Sequence, residues 1–286
     1  MTQTLSFAFI ILWSSAFITS KIIVESSSPF AALSFRFVIV ALGFLLFSIY
    51  LKEKIFVKKK FILEACLSGI LFHGLYLGGV FFAFSLGLSA TIGALIVSLQ
   101  PILTNIFAGP ILKEEVSWRQ WIGITLGFTG TCMVLGYDIG DNISLIAVLS
   151  SIVALLAATT ATIWQKKLSH KLPLPVSNFY QAIGASIFLF FIMLIFEEAY
   201  INFTLNFILS MSWQIIVVSF GAFTILMYLI KIGTASKTSN LFFLVPPVSA
   251  LMAWFFLGET ISNFDLLGLL VSSIGVFIAT RARESQ

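Results

Sequence analysis

Charge is what this sequence most lacks. Only 10% of its 286 residues are Asp, Glu, Lys or Arg, against 59% hydrophobic, and the mean hydropathy is +1.07. Soluble domains average about 25% charged residues, so a soluble globular domain is excluded. Cysteine is nearly absent: Cys66 and Cys132 are the two present, and neither belongs to a CxxC metal or redox motif. HExxH, paired intramembrane aspartates and a Ser nucleophile beside a helical His are missing too. Gly184-Ala185-Ser186 comes nearest, and no residue nearby completes a site. An enzyme is therefore not expected, and neither a metal nor any other cofactor is expected. Met1-Thr2-Gln3-Thr4 has no basic stretch before its apolar run, so a retained first helix is expected rather than a cleaved signal peptide.

What is there is apolar. Thirty-one Phe residues and repeated apolar runs of about twenty residues match the hydrocarbon thickness of a bilayer. The runs do not alternate, which excludes a transmembrane β-barrel. Ten spans are predicted, roughly 5–24, 31–51, 62–86, 91–112, 119–137, 143–164, 174–196, 213–233, 239–257 and 264–281, joined by short connections. The longest connection, 197–212, is half apolar and is expected to lie in the membrane interface. The net charge of +4 does not indicate nucleic acid, because the basic residues sit at helix ends.

Those basic residues set the orientation. With the N-terminus in the cytoplasm, Lys52, Lys54, Lys58, Lys59, Lys60, Lys113, Arg119, Lys166, Lys167, Lys171, Lys231, Lys237, Arg281 and Arg283 all fall on the cytoplasmic side. Lys21 lies in the first outer loop and Arg36 within span two. Both termini are thus expected in the cytoplasm. Cys66 and Cys132 then lie near opposite faces, which argues against a disulfide.

The chain also repeats itself. At an offset of 145 residues, without a gap, Ala90 meets Ala235, Pro101 meets Pro246, Glu114 meets Glu259, Gly123 meets Gly268 and Gly130 meets Gly275. Each copy holds five spans, an odd number, so the copies must lie upside down to each other. The fold expected is an all-α polytopic membrane protein of ten transmembrane helices in two inverted five-helix repeats, 1–140 and 141–286. Inverted repeats put a binding site near the midplane and support alternating access.

Leu86-Gly87-Leu88-Ser89-Ala90-Thr91, then Gln100-Pro101, Glu114, Gly123 and Gly130, resemble the EamA unit of the drug/metabolite transporter superfamily. Gly233-Thr234-Ala235-Ser236, then Pro246, Glu259, Gly268 and Gly275, resemble it again. Trp13-Ser14-Ser15 and Arg36-Phe37 fit the same pattern. The resemblance covers essentially the whole chain and implies two EamA units moving small metabolites, often amino acids or nucleotide-related compounds.

Polar side chains in hydrocarbon are costly unless paired or wet, so they are the candidates for a substrate site. Trp13, His73 and Gln100 fall near the centres of spans one, three and four. His73 and Tyr76 share a helix face; so do Gln100 and Thr104, Thr160 and Trp164, and Thr224 and Tyr228. Asn105 is rotated about 100° from Gln100, and Asn240 enters span nine. The substrate-binding set expected is Trp13, His73, Tyr76, Gln100, Asn105, Thr160, Trp164, Thr224, Tyr228 and Asn240. Against this, His73 and the amides serve equally as interhelical hydrogen-bond partners, and Trp164 and Tyr228 fit an aromatic belt. Gly123, Gly127 and Gly130 read as close helix packing. Pro101 and the pair Pro246-Pro247 are expected to bend their helices and act as pivots, or else to shape packing only. Arg36 is expected to snorkel or pair with Glu25, or to attract an anionic group.

The function expected is a secondary transporter of a small organic metabolite, amino-acid-like or nucleotide-related, in a bacterial inner (plasma) membrane. Its partners are then the substrate and the lipid bilayer, not nucleic acid, and a monomer is expected, with a dimer as the alternative. A channel-like permease and a non-transporting sensor or scaffold are the rivals. A scaffold would need a sizeable loop or tail for its partners.

Overall fold

The computed structural model describes residues 2–86, 88, 96, 98–135, 144–257 and 262–281. Ser89, Ala90, Thr91, the Val97 carbonyl, Asp138, Asp141, Glu259 and Arg283 lie outside the described residues, as does the start of span four. The described residues form ten helical runs. They are α1 Thr2–Ser26, α2 Pro29–Tyr50, α3 Lys59–Ser85, α4 Gln100–Leu112 and α5 Trp118–Leu135, then α6 Leu145–Leu168, α7 Leu174–Phe196, α8 Leu205–Ile232, α9 over 235–257 and α10 Asn263–Arg281. Among them α1, α2, α3, α6, α7 and α8 are long and apolar enough to cross a membrane. Their outward faces are apolar, with Leu46, Phe191, Ile195 and Leu209 all exposed. Contiguous exposure of that kind on an all-helical chain is what lipid covers.

The connection placed at 197–212 is shorter than the sequence suggests. Thr204 caps α8, its hydroxyl accepting from the Phe207 amide at 3.2 Å, and helix runs on from Leu205. Only 197–204 is left, and it lies against the α1–α2 turn: Ser28 donates its amide to Tyr200 O at 3.0 Å, and Asn202 donates to Ser26 O at 2.9 Å. Glu197 caps the start of α2, accepting the Phe30 and Ala31 amides at 3.0 and 3.2 Å. A carboxylate is favoured there by the helix dipole and the free N–H groups.

Helix bounds recur 145 residues on. Gln100–Leu112 is followed at that distance by Val245–Leu257, the last part of α9. Both α3 and α8 are interrupted by π-helix, at Ile70–Leu77 and Gln214–Ala222. Packing follows the same relation. α2 lies against α7 and α5 against α10, α1 packs on α8 and α9, and α6 packs on α3 and α4. α5 and α10 run antiparallel with their backbones nearly touching. A Cβ on Gly123 would come within 2.6 Å of Gly275 O, and one on Gly130 within 2.5 Å of Gly268 O. Only glycine permits that approach.

The described residues place the prolines beside changes in helix type. Pro101 occupies the first turn of the described α4. In α9, Ala235–Ser239 is followed by a 3-10 segment, Asn240–Leu244, before α-helix resumes at Val245. Pro247 cannot donate to the Phe243 carbonyl four residues earlier. That carbonyl instead accepts from the Thr131 hydroxyl of α5 at 3.0 Å and the Ser272 hydroxyl of α10 at 2.9 Å. The break in α9 is thus tied to the close-packed helix pair.

Candidate functional site

A narrow cavity, open at its mouth, lies between α1, α2, α3 and α8. It runs from the middle of the bundle toward the end where α1 meets α2. Helical spacing brings its lining together: Trp13, Phe17 and Ser20 on one face of α1, and His73, Tyr76, Leu77, Val80 and Phe84 on one face of α3. The two π segments carry His73 and Tyr76 on one side and Gln214, Val218 and Ser219 on the other. π-helical turns often mark functional sites, because the extra residue per turn re-aims side chains and widens the groove.

The wall is largely aromatic. The His73 ring lies 4.5 Å from both Phe37 and Phe223, and Trp13 packs edge-on to Phe72 at 6.0 Å. Polar groups interrupt it. Arg36 is buried, and its Nε and Nη2 both donate to Ser219 Oγ, at 3.0 and 2.9 Å. Gln214 donates through Nε2 to Ala16 O, Thr19 Oγ1 and Ser20 Oγ, each at 2.9 Å, and so ties α8 to α1. Its Oε1 is buried without a partner, as is Nδ1 of His73.

At the opposite end of the bundle the polar residues meet one another. Gln100 donates to Thr162 Oγ1 at 3.0 Å. Asn105 donates to Pro101 O at 2.7 Å and to Asn240 Oδ1 at 2.8 Å, and accepts from Gln120 at 3.2 Å. These amides join α4, α5, α6 and α9 into a plug. Beyond it Glu114 caps the start of α9, accepting the amides of Ala235 and Ser236 at 2.8 and 3.0 Å and the Ser236 hydroxyl at 2.7 Å. Lys166 reaches the carbonyls that end α8, donating to Ile230 O at 2.9 Å and also to Gly233 O. Glu114 therefore bridges from the end of α4 to a distant helix.

Of the residues expected at the substrate site, Trp13, His73 and Tyr76 line the cavity. Gln100, Asn105 and Asn240 lie in the plug. Thr160 and Trp164 line a separate lateral groove with Phe107 and Ile111, and the Thr160 hydroxyl turns back onto Leu156 O at 2.8 Å. Thr224 has a buried hydroxyl without a partner, and neither it nor Tyr228 lines the cavity. Arg36 makes no ion pair with Glu25, which is exposed. Sequence reasoning missed Gln214 and Ser219. Gln214 lay at the edge of a helix whose start was set too late, and Ser219 is one hydroxyl in an apolar run.

A family model, the EamA-like transporter family, matches the chain twice, at residues 2–136 and 145–281. Among named relatives, the uncharacterized transporter YvbV of Bacillus subtilis (strain 168) is 26% identical over 97% of this chain and 90% of its own length. The uncharacterized transporter YyaM of the same organism is 27% identical over 95% and 91%. A WAT1-related chloroplastic protein of Arabidopsis thaliana, At3g02690, is 22% identical over 93% of this chain and 66% of its own length. A solved crystal structure shares the fold with a TM-score of 0.82 at 17% identity, covering 98% of this chain and 96% of its own. The family and the two Bacillus relatives are named as transporters, not enzymes, and the all-helical, lipid-facing bundle with its internal cavity agrees: the chain is a membrane protein that belongs to the EamA-like transporter family.

Proposed function

We propose that the protein is a secondary transporter of a small organic metabolite, working by alternating access in a bacterial plasma membrane. Its ten helices act as two inverted five-helix units, 1–140 and 141–286, with both termini in the cytoplasm. The observation that carries this reading is the contrast between the two ends of the bundle: a cavity running toward one, and a hydrogen-bonded plug across the other. A carrier needs one open and one closed side at a time. A channel would need a continuous path.

The reciprocal contacts of α5 and α10 support the inversion. Gly123 meets Gly275, while Gly130 meets Gly268, and each pair exchanges positions 145 residues apart. Such self-complementary contact belongs to a two-fold axis. An axis through an antiparallel helix pair lies in the plane of the membrane. The other state of the carrier then requires the plug, the Glu114 cap and the Lys166 contacts to part.

The test is a thermal-shift screen of purified protein against amino acids, nucleosides and organic acids, followed by flux of each hit into liposomes. The expected result is saturable uptake, accelerated by the same unlabelled compound on the opposite side. Flux that neither saturates nor shows counterflow would establish a channel instead.

A further inference from the structure

Arg36 is the one charged side chain on the cavity wall, and the protein gives it no counter-ion. Among the described residues no carboxylate forms an ion pair with it. Its surface is 95% covered, with 5% exposed. Ser219 occupies one edge of the guanidinium, through Nε and Nη2, and Nη1 has no protein acceptor. A buried, unpaired charge is expensive. A guanidinium held along one edge, with its other fork open to a cavity, is a preorganised receptor for a planar anion.

We propose that this cavity binds a monoanionic organic carboxylate, with the carboxylate on the free fork of Arg36 and an apolar or aromatic body against Trp13, Phe223 and Tyr76. The proposal rests on the transporter reading and names the substrate class for it. One cation matches one negative charge. A phosphate monoester would leave a net negative charge in the same low-dielectric space. An amine would meet Arg36 with the same sign, and no Asp or Glu lines the cavity to receive it. Ser219 is a positioning residue: it holds the guanidinium plane and leaves the fork open.

The experiment uses one carbon skeleton with different end groups. 3-Phenylpropionate, 3-phenylpropanamide, 3-phenylpropylamine, 2-phenylethyl phosphate and L-phenylalanine are titrated against the purified protein, read by thermal midpoint and Trp fluorescence. 3-Phenylpropionate is expected to bind at least tenfold more tightly than any of the others. Arg36→Gln should abolish this binding while leaving the ligand-free midpoint unchanged or higher, because an unpaired buried charge has been removed. Arg36→Lys should weaken it at least tenfold, since an ammonium cannot offer the planar fork. Equal binding of the amide or amine, failure of the carboxylate to bind, or full binding by Arg36→Gln each overturns the proposal. If either variant fails to fold, the ranking of end groups on the wild-type protein still decides. Liposome flux separates the two readings: saturable counterflow of the amine with none of the carboxylate sinks the carboxylate site and keeps the carrier. Tight carboxylate binding without counterflow of any compound does the reverse.

Discussion

Two pairs of positions, related by the 145-residue offset, show how the halves of the molecule differ. In the first half Ser20 of α1 and Arg36 of α2 both line the cavity, and Arg36 has an open fork. Their counterparts in the second half are Gln165 of α6 and Gln181 of α7, which bond to each other at 3.0 Å. Gln181 also donates to Ser177 Oγ at 3.2 Å. The helices match in bounds and packing, so the difference lies in side chains alone. In one half the polar groups are held apart and face a cavity; in the other they close on each other, with only Gln165 Oε1 left unpartnered between the two. The shared backbone supplies the machine, and the unshared side chains supply its site.

The most damaging way to break this comparison is to move the charge to the wrong half. Gln181→Arg would bury a guanidinium beside Gln165 with no cavity to relieve it. A loss of about 3–5 kcal/mol is expected, the cost of an uncompensated buried charge, seen as poor expression or a much lower thermal midpoint. A midpoint close to that of the wild-type protein would mean that the two halves are equally roomy and that the asymmetry is not real.

Next comes the plug. Asn105→Leu leaves Gln120 and Asn240 without their bonds to Asn105, and each stranded amide costs about 1–3 kcal/mol. The midpoint should fall, and cysteines introduced at the proposed cytoplasmic end should react faster as the closed side opens. A double-mutant cycle between Asn105 and Asn240 should give coupling above about 0.5 kcal/mol. No coupling, with unchanged labelling, would remove the plug from the mechanism.

How much of this the sequence could reveal follows from which signals are local. Apart from the start of α8, most described helix bounds were legible within a few residues, as were the repeat of residue types and the close packing at Gly123 and Gly130, because apolar length and residue type at a fixed offset carry them. Gly123 and Gly275 are small for a reason that one pattern states. The site was legible only in part. Trp13, His73 and Tyr76 stood out as polar or amphipathic groups at mid-span. Gln100, Asn105 and Asn240 stood out in the same way, yet they lie in the plug, since an intramembrane amide looks identical whether it meets substrate or another amide. Arg36 was visible as a charge, but its exposure to a cavity depends on Ser219 and the π segment of α8. A π-helical turn has no strong sequence mark. It shifts later side chains about the helix axis, so faces assigned at a period of 3.6 no longer hold beyond it. That helps to explain why Thr224 and Tyr228, just past the π segment, were expected at a cavity they do not line.

A smaller effect separates the site from the proline break in α9. The Phe243 carbonyl has two donors, Thr131 and Ser272. Thr131→Val or Ser272→Ala alone leaves it satisfied, so each should cost about 1 kcal/mol or less. The double variant orphans the carbonyl and should lose more than the sum of the two. If the losses simply add, the carbonyl has another partner and the break is not secured by α5 and α10.

The smallest expected effects come from His73 and Thr160, and they sharpen the comparison most. Neither side chain contributes a hydrogen bond that another part of the fold needs. His73 packs between Phe37 and Phe223, its Nδ1 without a hydrogen-bond partner, and Thr160 bonds only to its own helix. His73→Phe and Thr160→Ala should both leave the thermal midpoint within about 1 kcal/mol of stability. Their transport should diverge. His73 lines the cavity, so replacing it should change the apparent affinity for whatever compound the liposome assay identifies. Thr160 lines the lateral groove, and its variant should transport as the wild-type protein does. Loss of transport in Thr160→Ala with none in His73→Phe would put the substrate in the groove between α4 and α6, and the cavity beside Arg36 would then be a packing defect rather than a site.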